Sequence, residues 1–203
     1  MSDPLDYGAD YAQKQIQRRE SALRRLIKRF YIDHALQFVH GPTIDIGCGA
    51  GQLLERLPAG SIGVEENPIL VDYLRSKGLK VIRREPDNEH PLLLPAEDGT
   101  AYRTVTLSHV LEHIPDAARH FRNLLDACLA RGIDTVIVIV PGEKGFQSDQ
   151  THRTFICLDF IQKHNLLTYG GFTVKHASYF PGNLARLGNY FAYHELMLVY
   201  QRT

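Results

Sequence analysis

The sequence predicts an α/β protein. Its sheet is doubly wound and mostly parallel, with helices on both faces, an antiparallel last strand and an N-terminal helical extension. Three observations predict it. From Thr43 onward, short β-branched runs alternate with helix-like runs, the mark of βαβ units. Residues 133–140 are nearly all β-branched, as a central strand covered on both faces requires. Near the C-terminus, residues 171–177 and 194–200 both read as strands with no full helix pattern between them, so they are expected to pair antiparallel and close the sheet.

The elements follow in order. Residues 1–12 are polar, with Pro4 and Gly8, and read as irregular. From about Gln13 to Val39 a helical period runs through Ile16, Leu23, Leu26, Ile27, Phe30 and Ile32. The opposite face carries Lys14, Arg18, Arg19, Arg24, Arg25, Lys28 and Arg29, and Gly41-Pro42 ends the segment. Strands are expected over 43–46, 61–65, 79–84, 104–108 and 133–140, and helices over 50–57, 68–77, 116–130 and 156–168. Residues 1–40 thus form an N-terminal helical segment, and 41–203 the main domain. The stretch from Tyr179 to Tyr193 holds five aromatics among glycines and asparagines, which suits either packing on the sheet or a pocket that stacks on a ring.

The 203 residues, 44% of them hydrophobic, suit one core. Lys+Arg and Asp+Glu both number 23, so no global charge points to a polyanionic partner. The three cysteines, Cys48, Cys128 and Cys157, form no disulfide framework and fit a reducing compartment. No signal-peptide core or membrane-length apolar run is visible, so a cytoplasmic protein is expected.

The chemistry concentrates in Asp45-Ile46-Gly47-Cys48-Gly49-Ala50-Gly51, a strand end running into alternate glycines. Glycines there permit a sharp turn and let a ligand lie against the backbone, at the strand end where open α/β sheets bind cofactors. Glu65 closes the next strand and can accept both ribose hydroxyls of a nucleoside. A dinucleotide fingerprint would place its third glycine one position later than Gly51, and no Gly-Lys-Ser/Thr follows, so neither a dinucleotide nor a P-loop reading fits well.

With these motifs the chain resembles class I S-adenosylmethionine-dependent methyltransferases of the small-molecule branch, similar to ubiquinone-type and sugar methyltransferases. The glycine loop looks like the first family motif and Gly63-Val64-Glu65 like the second-strand acidic position. Residues 94–100 and 105–116 resemble the fourth-strand region, and 149–155 and 170–174 also fit. The resemblance covers roughly residues 41–201 and implies a Rossmann-like, seven-stranded sheet with an antiparallel last strand. It implies S-adenosylmethionine as cofactor, contacted by Asp45, Gly47, Cys48, Gly49, Gly51, Glu65, Glu66, Asp87, Ser108 and His109. Asp45 would lie near the amino group and Glu65 would hold the ribose. Glu85, Asp87 or Asn88 would approach the adenine, and Ser108 and His109 the sulfonium side. The family's Phe-Asp-x-Val is here Tyr102-Arg103-Thr104-Val105, which changes a surface contact.

His113 and His152 are the candidate general bases, since histidine alone titrates near neutrality unperturbed. His152 equally suits a loop anchor for residues 143–154, and His113 a local bond at a helix start. His109-Val110-Leu111-Glu112-His113 spells H-x-x-E-H, but zinc hydrolysis would need both histidines on one helix face, and here a strand end and Pro115 flank the motif. Ubiquinone-type enzymes place metal-binding acids and a histidine near Glu112 and His113. His109 stands where an acid would be expected, and no resident metal is expected. Tyr7 and Tyr11 could fold over the cofactor as a lid.

The expected function is methyl transfer to the oxygen or nitrogen of a small molecule, such as a sugar or a quinone- or polyketide-like compound, with nucleic acid an unlikely partner. The alternatives are an RNA methyltransferase using the basic helix face, an NAD(P)-dependent oxidoreductase, and a non-catalytic cofactor-binding module.

Overall fold

The computed structural model describes residues 8–20, 22–85, 87, 89–191 and 193–203. Eight strands form one sheet: β1 (Thr43–Ile46), β2 (Ile62–Glu65), β3 (Val81–Arg83), β4 (Thr104–Ser108), β5 (Thr135–Pro141), β6 (Thr168–Tyr169), β7 (Phe172–Phe180) and β8 (Glu195–Arg202). Their order is β3-β2-β1-β4-β5-β8-β7-β6. The first five are mutually parallel, and β8 runs antiparallel to both β5 and β7. The strand beyond the expected seven is β6, a two-residue edge piece. Gly170 and Gly171, both at positive φ (55° and 78°), turn it tightly onto β7.

Helices cover both faces. On α4 (Ala117–Ala130), Ala117, Ala118, Phe121, Leu124, Leu125 and Cys128 recur at helical spacing and pack with Val136, Val138 and Val140 of β5 and Leu196, Leu198 and Tyr200 of β8. The alternate residues, Ile137, Ile139, Met197 and Val199, meet Tyr31, Ile32 and Ala35 of α2 (Ala22–Leu36) on the other face. All seven residues of β5 are buried, as its composition predicted. On α3 (Pro68–Ser76), Val71 and Leu74 pack with Cys48, Leu54 and Val81.

Several expectations differ in detail. The single N-terminal helix is two, α1 (Ala9–Glu20) and α2, with Ser21 outside the described residues. The helix expected over 50–57 is one 3-10 turn, Leu54–Arg56. The reason is packing: adjacent Leu53 and Leu54 fill different clusters, under α2 and under α3, which a single turn accomplishes before Pro58. Residues 143–147 form a short helix, α5 (Glu143–Gln147). The helix expected over 156–168 is only α6 (Leu158–Lys163), stopped where Asn165 turns left-handed at φ 53°. Among the described residues no helix is long and apolar enough to cross a membrane.

Phe121 is fully buried and meets Tyr200 edge-on at 5.1 Å. Phe121→Ala is therefore expected to cost about 3–5 kcal/mol, whereas Leu93→Ala, at a side chain 55% exposed, should stay within about 0.5 kcal/mol. Chemical denaturation of both variants checks this, and equal losses would contradict the core assignment.

Candidate functional site

The site lies at the carboxyl ends of β1, β2, β4 and β5. Three glycines shape its floor, at φ 65° (Gly47), 53° (Gly49) and 77° (Gly51). A Cβ on Gly47 would stand 2.5 Å from Val110 Cγ2, and one on Gly51 2.4 Å from Leu74 Cδ2. At Gly49 nothing lies within 4 Å, because that position faces the cavity. Gly63, which the sequence reading passed over except as part of a motif, is as constrained: a Cβ there would sit 2.6 Å from Cys48 Sγ. Cys48 is buried beside Leu54, and burial pushes its thiol pKa up, so the residue packs the loop down from beneath.

Glu65 anchors this loop. One carboxylate oxygen accepts the Gly49 N–H at 2.8 Å and the other accepts those of Glu66 and Asn67, both at 2.9 Å. Burial raises its pKa, and these three hydrogen bonds oppose the rise. Asn67 caps α3, accepting from Ile69 and Leu70 N–H. Asp45 is 1% exposed and accepts a 2.7 Å hydrogen bond from Thr106 Oγ1. Burial raises it to about 7, with Thr106 opposing and Glu65 adding.

Two adjoining cavities open here. One, of 500 Å³, is lined by Gly47, Gly49, Glu65, Glu66, Asn67, Arg84 and Asp87 among others. Asp87 turns the chain by accepting the N–H groups of Glu89 and His90, and Arg84 holds the following loop through the carbonyls of His90 and Pro91. Glu85 pairs with Arg83 in solvent, and Asn88 lies outside the described residues. The second cavity, of 270 Å³, is lined by Asp45, Ser108, His109, His113, His152 and residues that sequence reasoning did not assign to a site, chiefly Lys28, Tyr31 and Glu195. Tyr11 borders both cavities from α1, whose Ala12 is buried against Ala50 and Leu70. Tyr7 lies outside the described residues.

At the end of β4 His109 takes a left-handed conformation, φ 58°, which is costly for a residue with a Cβ. The turn puts its ring between two buried carboxylates, Nδ1 3.4 Å from Glu112 Oε1 and Nε2 3.2 Å from Glu195 Oε2. Burial lowers its pKa, but Glu195 and Glu112 together outweigh burial and leave it raised. Burial lowers that of His113. His113 Nδ1 meets Thr151 Oγ1 at 3.0 Å, and that hydroxyl in turn donates to Asp149 at 2.7 Å. His152 Nδ1 donates to the Phe146 carbonyl at 2.7 Å and its ring stacks on Phe146. The two imidazoles meet edge-on, centroids 4.6 Å apart. His152 thereby ties down the segment after β5, together with the N–H groups of Arg153 and Thr154, which donate to the Glu112 carbonyl.

Glu112, His113 and His152 offer one ligand atom each within 4.8 Å of one another. Glu112 is fully buried and neither of its carboxylate oxygens completes a hydrogen bond, so this nitrogen and oxygen set suits a divalent cation. The H-x-x-E-H spelling does not form a helix face: only Leu111–His113 turn, as a 3-10 element.

The raised Asp45 fixes a sign. The native state holds this proton more tightly than the unfolded chain, so the ligand-free protein should lose stability as pH rises from about 4 to about 7, by on the order of 3–4 kcal/mol from this group. Denaturation at stepped pH checks this. Asp45→Asn should flatten part of the slope, and parallel slopes would refute the buried-acid assignment.

The sequence matches a family described as a methyltransferase domain over residues 15–182. A ubiquinone biosynthesis O-methyltransferase of Xanthomonas euvesicatoria pv. vesicatoria (strain 85-10) is 31% identical over 125 residues, 58% of this chain and 46% of that protein, so the chain spans about half the length of this curated relative. Among solved structures, an S-adenosylmethionine-dependent methyltransferase from Archaeoglobus fulgidus superposes with a TM-score of 0.65 at 19% identity, over 88% of this chain and 94% of that one. Magnesium protoporphyrin IX methyltransferase from Synechocystis PCC 6803, with S-adenosylhomocysteine bound, superposes with a TM-score of 0.66 at 14% identity, over 98% and 97% of the two chains. At these identities the structural likeness carries the fold. The family match over most of the sequence makes this chain a member of the methyltransferase-domain family, that of the class I S-adenosylmethionine-dependent methyltransferases.

Proposed function

We propose that the chain transfers the methyl group of S-adenosylmethionine to a small-molecule acceptor. The observation that carries this reading is the pair of adjoining cavities, which meet at Gly47, Gly49, His109 and His113. The larger has the size and glycine floor for the cofactor, and the smaller, beside it, has room for a small acceptor. S-adenosylmethionine supplies an electrophilic methyl group whose leaving sulfur keeps the bonding pair. The chain's own task is alignment and exclusion of water, which is worth roughly 7–11 kcal/mol.

In this reading Glu65 accepts from the ribose hydroxyls while keeping the Gly49 N–H, and Asp45 meets the cofactor's amino group. Gly47, Cys48, Gly49 and Gly51 lie along the methionine part. Glu66 and Asp87 border the adenosine end, and Ser108 and His109 border the reacting end. Of the N-terminal segment, α1 and α2 cover the acceptor side. His113 and His152, the bases expected from sequence, each commit Nδ1 to the loop after β5, to Thr151 Oγ1 and the Phe146 carbonyl, so in this reading they border the acceptor and hold its loop in place. The carboxylates of Glu195 and Asp149, which line the smaller cavity, would repel a phosphate backbone, which favours a small acceptor over RNA. The ubiquinone O-methyltransferase similarity favours oxygen as the methylated atom.

Calorimetry with S-adenosylhomocysteine tests the cofactor half, with NAD as the control that should not bind. Glu65→Gln should weaken S-adenosylhomocysteine roughly 10–100-fold, because it loses charge-assisted hydrogen bonds. Binding of NAD, or of neither ligand, would refute the proposal. Salt-dependent RNA binding with no small-molecule turnover would move the acceptor to nucleic acid.

A further inference from the structure

Glu195 begins the row on β8 that continues through Met197 and Val199 beneath α2. Its companions in that row are apolar, yet the first member is a carboxylate only 7% exposed. Its Oε2 completes no hydrogen bond: His109 Nε2 lies 3.2 Å away without the alignment a bond needs. A buried carboxylate with an oxygen left in this condition is costly; the charges of His109 and Lys28 offset part of that cost but complete no hydrogen bond to Oε2. The side chain borders the smaller cavity, beside Ser108 and Tyr31 and next to the glycine loop.

We propose that Glu195 is the general base of the reaction, accepting the proton of an acceptor hydroxyl held in the smaller cavity. This assignment rests on the methyl transfer proposed above and narrows its acceptor to an alcohol or phenol. The acceptor's O–H bond breaks, Glu195 Oε2 takes the proton, and the pair left on oxygen forms the new bond to the methyl carbon as the carbon–sulfur pair stays on sulfur. The proton then passes to solvent. The groups facing Glu195 are His109 at the end of β4, Glu112 in the turn after it, and Lys28 and Tyr31 of α2. His109 and Lys28 already supply positive charge, so an ammonium acceptor would add a third cation, whereas a neutral hydroxyl adds none. Burial pushes the Glu195 pKa up to about 7, with Glu112 adding to the rise and His109 and Lys28 opposing it. A base is most effective when its pKa lies near the working pH.

The test compares the parent with Glu195→Gln on two probes, catechol and p-nitrophenol, the latter assayed well above neutral pH, where it ionises without a base. Calorimetry with S-adenosylhomocysteine comes first, followed by titration of catechol into the S-adenosylhomocysteine complex. The variant should stay folded and bind S-adenosylhomocysteine and catechol as the parent does. Its kcat for catechol should fall roughly 10²–10⁴-fold with little change in KM, while p-nitrophenol should be methylated nearly as fast as by the parent. The parent's kcat for catechol should rise with pH through about 7, and that rise should vanish in the variant. Equal losses on both probes, or no loss on catechol, would overturn the assignment. So would a parent that binds S-adenosylhomocysteine but neither binds nor methylates a hydroxyl probe. Failure of the parent to bind S-adenosylhomocysteine would instead refute the methyltransferase reading itself.

Discussion

One side chain organises the end of the sheet where the site lies. The Glu65 carboxylate takes backbone N–H groups from the loop after β1 and from the turn after its own strand. The same loop is stitched to β2 a second time, since Gly47 and Cys48 both donate to the Val64 carbonyl, at 2.8 and 3.1 Å. Donors that would otherwise point into the crevice are thus satisfied within the protein, which fixes the shape of the glycine turn. Cys48 and Gly63 complete the arrangement from below, where sulfur meets backbone with no room for a methyl group. Removing any one of these contacts leaves a buried polar group or a clash, so the loop, the strand end and the start of α3 behave as one unit.

Much of this was legible from residue order because the interactions are local or periodic. The strands announced themselves by β-branching, α4 by its repeat, and the site by glycines next to an acid one strand away. What could not be read was what depends on distant register. Glu195 reaches the cavity because β8 pairs antiparallel with β5 and sets it opposite Pro141. It meets His109 only because that histidine adopts a positive φ, which is uncommon outside glycine and too weakly signalled by a histidine to be read from sequence. One signal was present: a charged residue directly ahead of the apolar run Leu196–Tyr200 in the final strand. The helix expected over 50–57 failed for a similar reason, since apolar residues at 53 and 54 read as one face until their separate clusters are seen.

The two faces of the sheet also divide the labour. The α4 side is continuous apolar packing, with Phe121, Leu124 and Leu125 against β5 and β8. The α2 side takes its apolar packing from Ile137, Ile139, Met197 and Val199 of β5 and β8. On the same side β1 and β4 contribute the buried polar residues Thr43, Asp45, Thr104 and Thr106, and Glu195 opens β8. Stability is concentrated on one face, which leaves the other able to carry buried acids that a symmetrical core would not tolerate.

The mouth of the crevice has a fastening of its own. α1 is held there by the fully buried Ala12 against Ala50 and Leu70, by the partly buried Tyr11 and Ile16, and by a long hydrogen bond of 3.4 Å from Asn67 to the Gly8 carbonyl. The buried Ala12 methyl contributes about 0.8 kcal/mol of this attachment, and Tyr11 and Ile16 add to it. Tyr11 on this helix borders both cavities, whereas Ala12, which seats the helix, borders neither. A change at Ala12 would therefore reach the walls of both cavities without touching a residue that lines them.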